Sequence, residues 1–210
     1  MPRAESRSID FIVEEPSAEV ALEGLLPGLL PDGVSWRIIN MQCKSKLLAL
    51  LPQRLAGYSN MLKAGMDKRV VILIDRDDED CKKLKKQLEK IAKDAGLATK
   101  KHPLKGRWQV VTRIACEELE AWFLGDPEAI CQAYPKIPAG YITGQKYRAP
   151  DEIKGGTWEA AEHLLQKHGY FKGGLGKISF AQTVSPLLDE SRSHSPSFKA
   201  FCVAARAACT

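Results

Sequence analysis

The chain has 210 residues, enough for one domain or for one domain with a helical appendage. Hydrophobic residues make up 44% and charged residues 27%, which excludes a disordered chain, and no apolar run approaches the roughly 18 residues of a membrane span. Lys and Arg outnumber Asp and Glu by 31 to 26, a net charge of +5 that allows a nucleic-acid partner without demanding one.

The first half alternates strand and helix signals. Residues 9–13 form a short apolar run that ends in Glu14-Glu15-Pro16-Ser17. Pro16 reads as a strand stop and Ser17 as an N-cap, so a helix is expected over 18–30. A second strand is expected over 34–41. A helix is then expected from about 47 to 64, with Pro52 as a break or kink. Val70-Val71-Ile72-Leu73-Ile74 is the strongest strand signal, a continuous apolar run of the kind found in parallel strands covered on both faces. Residues 80–95 read as an amphipathic helix ended by Gly96, and 108–114 as a fourth strand. Residues 117–124 and a segment opening at Pro127 follow as helices. After a Pro/Gly-rich loop over 135–156, helices are expected over 158–167, 177–188 and 197–208.

That order, β-α-β-α-β-α-β-α, predicts an α/β fold with a mostly parallel, Rossmann-like sheet flanked by helices and a helical C-terminal part. The expected division is an α/β core over 1–134 and a C-terminal extension over 135–210 packed on it, with both parts allowed to be one domain. The six cysteines are scattered and form no CxxC pair, and no leader-like pattern opens the chain. A reduced, cytoplasmic protein with buried thiols is expected, without a structural zinc site.

Ligands of open parallel sheets bind beyond the carboxyl ends of the strands. Two strands here run into acids, one at Glu14-Glu15 and the other at Asp75-Arg76-Asp77-Asp78-Glu79-Asp80. Carboxylates gathered at neighbouring strand ends repel one another, and a hard cation with oxygen ligands relieves that repulsion. Asp78, Glu79 and Asp80 are equally well explained as a first-turn cap for the next helix. Asp75 follows five apolar residues without a spacer and belongs at the mouth of the sheet. Lys44, Lys46 and Arg54, after the second strand, are candidate phosphate ligands, although a solvated helix face explains them as well. Glu118 and Glu120 are candidate additional acids. Two residues apart on a regular helix they point about 200° apart, so only one would face the cluster, whereas Glu117 and Glu120 could share a face. Gly173-Gly174-Leu175-Gly176-Lys177 is a glycine-rich stretch that lacks Walker spacing and a preceding apolar strand.

Phe11-Ile12-Val13-Glu14 resembles the first motif of TOPRIM domains, and Ile74-Asp75-Arg76-Asp77 resembles their Asp-x-Asp motif. A closer resemblance is to a TOPRIM-related bacterial family of unknown function often encoded beside an AAA-type ATPase. It is carried by Lys44-Ser45-Lys46-Leu47-Leu48, by the segment Glu118-Leu119-Glu120-Ala121-Trp122-Phe123-Leu124-Gly125-Asp126-Pro127-Glu128, and by Ser195-Pro196-Ser197-Phe198-Lys199-Ala200-Phe201.

The resemblance implies a Mg²⁺-dependent (or Mn²⁺-dependent) nuclease acting on DNA or RNA, as a phage-defence effector working with an ATPase. Asp75 and Asp77 would hold the metal, and Glu14 would act as general base or complete the metal shell. Members of the wider group usually carry Gly where this chain has Glu15, a position where glycine would permit a tight turn. That departure motivates the alternative of a catalytically silent docking partner of an ATPase. A phosphoacceptor receiver domain is a further rival, but it needs a lysine after a fifth strand that the sequence does not offer.

Overall fold

The computed structural model describes residues 8–138, 140–144 and 147–210. Four strands, β1 (Ser8–Val13), β2 (Ser35–Asn40), β3 (Lys68–Asp75) and β4 (Val110–Ala115), form one sheet in the order β2-β1-β3-β4. All three pairings are parallel, with Phe11 aligned to Ile38 and Val71, and Ile74 to Ile114. The mostly parallel sheet expected from the alternation is therefore entirely parallel among the described residues, and every strand delivers its carboxyl end to the same edge.

Side chains alternate across a strand, and here both faces are covered. Ile9, Phe11, Val13, Val71 and Leu73 pack on the face shared with α1 (Pro16–Leu29) and α8 (Pro196–Cys209). Ile12, Val70, Ile72 and Ile74 pack on the other face, against Leu47, Leu51 and Leu55 of α2 (Lys44–Lys63) and Leu84, Leu88 and Ala92 of α3 (Cys81–Asp94). Both faces of β3 are thus apolar, which is why it reads as an unbroken hydrophobic run.

Beyond β4 come α4 (Glu120–Leu124), α5 (Pro127–Ala133), α6 (Thr157–Lys167) and α7 (Lys177–Val184), with short 3₁₀ turns at Tyr141–Thr143, Pro150–Glu152 and Ser185–Leu187. These helices share the α1/α8 core. Trp122 of α4 meets Phe201 and Phe198 of α8 at ring-centroid distances of 4.9 and 5.3 Å, and its indole N–H donates to the Ser197 hydroxyl at 3.0 Å. Phe201 continues the contact to Phe11 of β1 at 6.2 Å. The resulting hydrophobic cluster runs without interruption from Ile9 to Ala208.

Several boundaries differ from the sequence expectation for identifiable reasons. Pro16 opens α1 as its first residue, where its missing N–H costs nothing and its fixed φ suits a helix, so Glu15 and not Ser17 is the cap position. The second helix starts at Lys44 and continues through Pro52 to Lys63. Glu117 lies outside any helix at φ 61°, and α4 begins only at Glu120, so Glu117 and Glu120 do not share a helix face. Trp108 falls before β4, with the Arg69 guanidinium over its ring at 5.0 Å. The helix expected over 177–188 ends at Val184, before the turn made by Pro186. All six cysteines are free, but only Cys202 is fully buried and Cys43 is exposed, which corrects the expectation of buried thiols. Among the described residues, no helix is long and apolar enough to cross a membrane.

Candidate functional site

The parallel order places the ends of β1, β3 and β4 side by side, because β3 lies between the other two. Glu14 and Glu15 follow β1, Asp75 is the last residue of β3, and the chain after β4 supplies Glu117, Glu118 and Glu120. The edge is stitched by backbone bonds. Arg76 N–H donates to the Ala115 carbonyl at 2.9 Å, and Asp77 N–H donates to that of Glu117 at 2.8 Å. Glu14 reaches across from β1, its Oε2 accepting the Asp75 backbone N–H at 3.2 Å.

Three carboxylates are withdrawn from water at this edge. Asp75 is 6% exposed and Glu120 1% exposed. Glu14 is half-buried, and its carboxyl is pushed up to about 7, chiefly by burial and further by Asp77 and Glu15, against the pull of the Asp75 backbone N–H and Lys44. Burial also drives the Asp75 carboxyl well above the usual range, and Glu120, Glu14, Glu15 and Asp77 add to that rise. The Glu120 carboxyl reaches about 7, again mainly through burial, although Lys177 draws it down. Among the described residues, neither Glu120 oxygen has a hydrogen-bond partner. Burying an ionised carboxylate without a partner is costly, so Glu120 is the group here that most needs a ligand.

The remaining acids are already engaged. Glu118 accepts from the Thr157 hydroxyl at 3.1 Å and the Trp158 backbone N–H at 2.8 Å, which ties it to the N-terminus of α6. Glu118 lies before α4, so the 200° separation expected of a shared helix does not apply to the pair; Glu118 is held by α6, and Glu120 is the one whose charge raises Asp75. Glu117 pairs with Arg76. Asp77 sits at φ 50°, and its carboxylate is held by the Lys44 ammonium at 2.7 Å. The same ammonium reaches Glu79 at 3.1 Å and the Arg76 carbonyl at 3.2 Å. Asp80 caps α3 by accepting the Lys83 N–H at 2.8 Å, which is the capping role open to it from sequence. Glu15 accepts from the Ser17 hydroxyl and has φ −135° and ψ 165°, an extended conformation open to any residue. Nothing in the backbone at this position calls for glycine.

Glu14 and Asp75 therefore meet, Asp77 lies beside them in an ion pair, and Glu120 joins from α4. No group of three or more His, Cys, Asp or Glu side chains among the described residues stands in metal-holding geometry. Of the three candidate phosphate ligands, Lys44 flanks the site. Lys46 donates to the Gln42 side chain at 2.7 Å, on the exposed side of α2. Arg54 lies ten residues down the helix from Lys44, about 15 Å along its axis, beside a groove lined by Arg37, Gln53 and Tyr58.

Lys177 was not singled out by the sequence reading, beyond its place in the glycine-rich stretch. It opens α7, lies 3.7 Å from Glu118 and faces the cluster. Burial lowers the basicity of its ammonium, but Glu120, Glu15, Glu118 and Asp75 outweigh burial and raise it. Its position after glycines at a helix start was the only sequence signal. The stretch before it binds a carboxylate, since the Leu175 N–H donates to Glu162 at 2.8 Å. The sheet has four strands among the described residues, so it offers no fifth-strand lysine of the receiver type.

Comparison with curated proteins and with solved structures returned no match. Residues 13–204 match the family described as a domain of unknown function (DUF4276), a span that takes in the ends of β1, β3 and β4, the lysines that flank them and most of α8. The chain belongs to that DUF4276 family.

Proposed function

We propose that this edge of the sheet is a Mg²⁺- or Mn²⁺-dependent phosphodiester-cleaving centre acting on DNA or RNA. The observation that carries the reading is the buried Glu120 carboxylate, without a hydrogen-bond partner among the described residues and near enough to raise the Asp75 carboxyl, at an edge where Glu14 meets the Asp75 backbone. The donor set is all oxygen, as a hard cation prefers. Mg²⁺ commonly takes only one or two carboxylates from a protein and keeps several waters, so Asp75 and Glu120 are the residues that would hold it. When bound, the cation supplies Lewis-acid stabilisation of charge on the phosphoryl and leaving oxygens.

The chain's own residues do the rest. Glu14, with a carboxyl near 7, is poised to accept a proton from water at neutral pH. Lys177 and Lys44 stand on either side of the acids as partners for phosphate oxygens. Asp77, the second acid of the TOPRIM-like pair, acts by holding Lys44 unless it changes partner. A phage-defence effector working with an AAA-type ATPase is the setting implied by the family resemblance.

The second reading, a catalytically silent docking partner of an ATPase, is favoured by the ion pair that occupies Asp77 and by the lack of a preassembled three-ligand group among the described residues. The two readings separate in one experiment. Labelled DNA and RNA are incubated with the purified chain in Mg²⁺ or Mn²⁺, with Glu14→Ala, Asp75→Ala and Glu120→Ala as controls, and metal binding is followed by calorimetry. Cleavage lost in all three variants is the expected result. No cleavage together with no metal binding overturns the nuclease reading.

A further inference from the structure

The basic charge of this chain is concentrated in one segment. Residues 82–107 carry nine lysines and one arginine against two acids, a net of +8 where the whole chain has +5. The structure folds this segment into α3 and the turns that follow it. A cavity of about 650 Å³ lies between them, lined by Lys86, Lys90 and Lys93 on one wall and by Lys101, His102 and Leu104 on the other.

The two acids do little to neutralise the groove. Glu89 is buried and spends its oxygens on the hydroxyls of Thr99 and Thr112, with Lys85 at 3.3 Å. Asp94 pairs with Lys90 alone, at the exposed end of the helix. Lys82, Lys86, Lys90 and Lys93 are all exposed, and each lies within about 6 Å of the next along the helix axis. The cations also crowd one another. Burial comes first in lowering the basicity of Lys85 and Lys100, and the Arg113 guanidinium lowers both further. The opposite wall is different in kind. Leu104 is 70% exposed, with exposed His102 and Pro103 beside it. A lysine row facing an imidazole and an apolar surface, with Lys101 at its margin, matches the two needs of an unpaired strand, namely phosphates to neutralise and base faces to cover. A duplex keeps its bases stacked inside and has no use for the second wall.

We propose that the groove between α3 and residues 99–104 is a docking surface for single-stranded nucleic acid. The lysines of α3 hold successive phosphates, and His102 and Leu104 cover bases. The assignment deepens the phosphodiester reading and rests on it for the class of ligand. The geometry joins the two places, because α3 starts directly after the Asp75–Asp80 loop and leads away from the acid cluster along its lysine row.

The test is fluorescence anisotropy with a labelled 20-nucleotide single strand in EDTA, so that binding is read without turnover. The triple variant K86E/K90E/K93E is expected to bind at least tenfold more weakly. Its log–log salt slope should be shallower by about 2, from three lost phosphate contacts at roughly 0.7 each. H102A/L104A should weaken binding several-fold with the slope unchanged. Wild-type affinity in the triple variant overturns the proposal, as does equal affinity for the matching duplex, for polyglutamate or for phosphatidylserine vesicles. Loss of cleavage reading and loss of docking reading are therefore distinct results: a chain that never cleaves still gives the anisotropy difference, and a chain that cleaves while the triple variant binds normally refutes only the groove.

Discussion

Substituting Glu120 by Gln isolates the electrostatic cost of the acid cluster. The Glu120 carboxyl has a folded-state value of about 7, against an ordinary value of 4.5 in the unfolded chain. A carboxyl raised in this way binds more protons folded than unfolded between those two values, so stability falls as pH rises through that window and levels off above it. Each unit is worth 1.36 kcal/mol, and integration between pH 5 and pH 8 gives a loss of about 2.5 kcal/mol from this one group. Glutamine keeps the shape and removes the titration. Any penalty for burying its amide is the same at both pH values and cancels in the comparison. Urea unfolding in EDTA at pH 5 and pH 8 should therefore show E120Q gaining about 2.5 kcal/mol relative to wild type between the two conditions, or about 5–10 °C in Tm for a chain of this size. Relief of Asp75, which Glu120 also pushes up, acts in the same direction. Stability curves that run parallel, with the difference constant to within about 0.5 kcal/mol, would refute the claim that Glu120 is buried as an unpartnered acid.

Asp10 is buried and accepts from Arg37 and Tyr58 with Lys68 at 3.3 Å, so Asp10→Asn should cost about 2–3 kcal/mol at neutral pH. Burial raises this carboxyl, but those partners together bring it below 3.8. The stabilisation is thus present above the ordinary value and lost as pH falls through the folded one, and acid unfolding should show the wild-type advantage shrinking as pH falls below the ordinary carboxylate value. On α1, a methyl at Gly24 would run into the Ser185 hydroxyl and come within 3.1 Å of Pro186, whereas one at Gly28 would meet nothing within 4 Å among the described residues. Thermal melts should show Gly24→Ala destabilised by about 1–3 kcal/mol and Gly28→Ala neutral or stabilised by up to about 1.

The fold was legible where one physical cause dominates. β3 is apolar on both faces because helices cover both, and an unbroken run of Val, Ile and Leu is the direct trace of that burial. Alternation of strands and helices carried the parallel direction, but not the order β2-β1-β3-β4, which is set by long-range packing. Glu14 and Asp75 were legible as acids ending strands. The partner of Asp77 was not, because Lys44 is 33 residues away and the left-handed turn at Asp77 redirects its carboxylate. Glu120 was half legible. Both glutamates were legible as candidates, but the helical spacing used to separate them fails, because α4 starts only at Glu120 and leaves Glu118 outside it. The left-handed residue at Glu117 delays that start. Lys177 is recruited from the far side of the C-terminal loops, and no local pattern announces such a contact.

Glu15 was the sequence's main reason to expect a silent domain, and its backbone weakens that reason. A position at φ −135° does not need glycine, and the Glu15 side chain turns back to Ser17 at the start of α1. The burden of distinguishing an active centre from a docking surface passes instead to Glu120. A surface that serves only to dock has no use for a buried carboxylate that has only the Lys177 charge and no hydrogen-bond partner among the described residues, and an apolar residue of similar volume would relieve a cost of a few kcal/mol there. A centre that binds a cation regains that cost on loading, by an amount that grows with metal concentration above the dissociation constant. The proposed metal accounts for the burial of Glu120 and for its neighbours with a single cause, and the docking alternative leaves that burial without one.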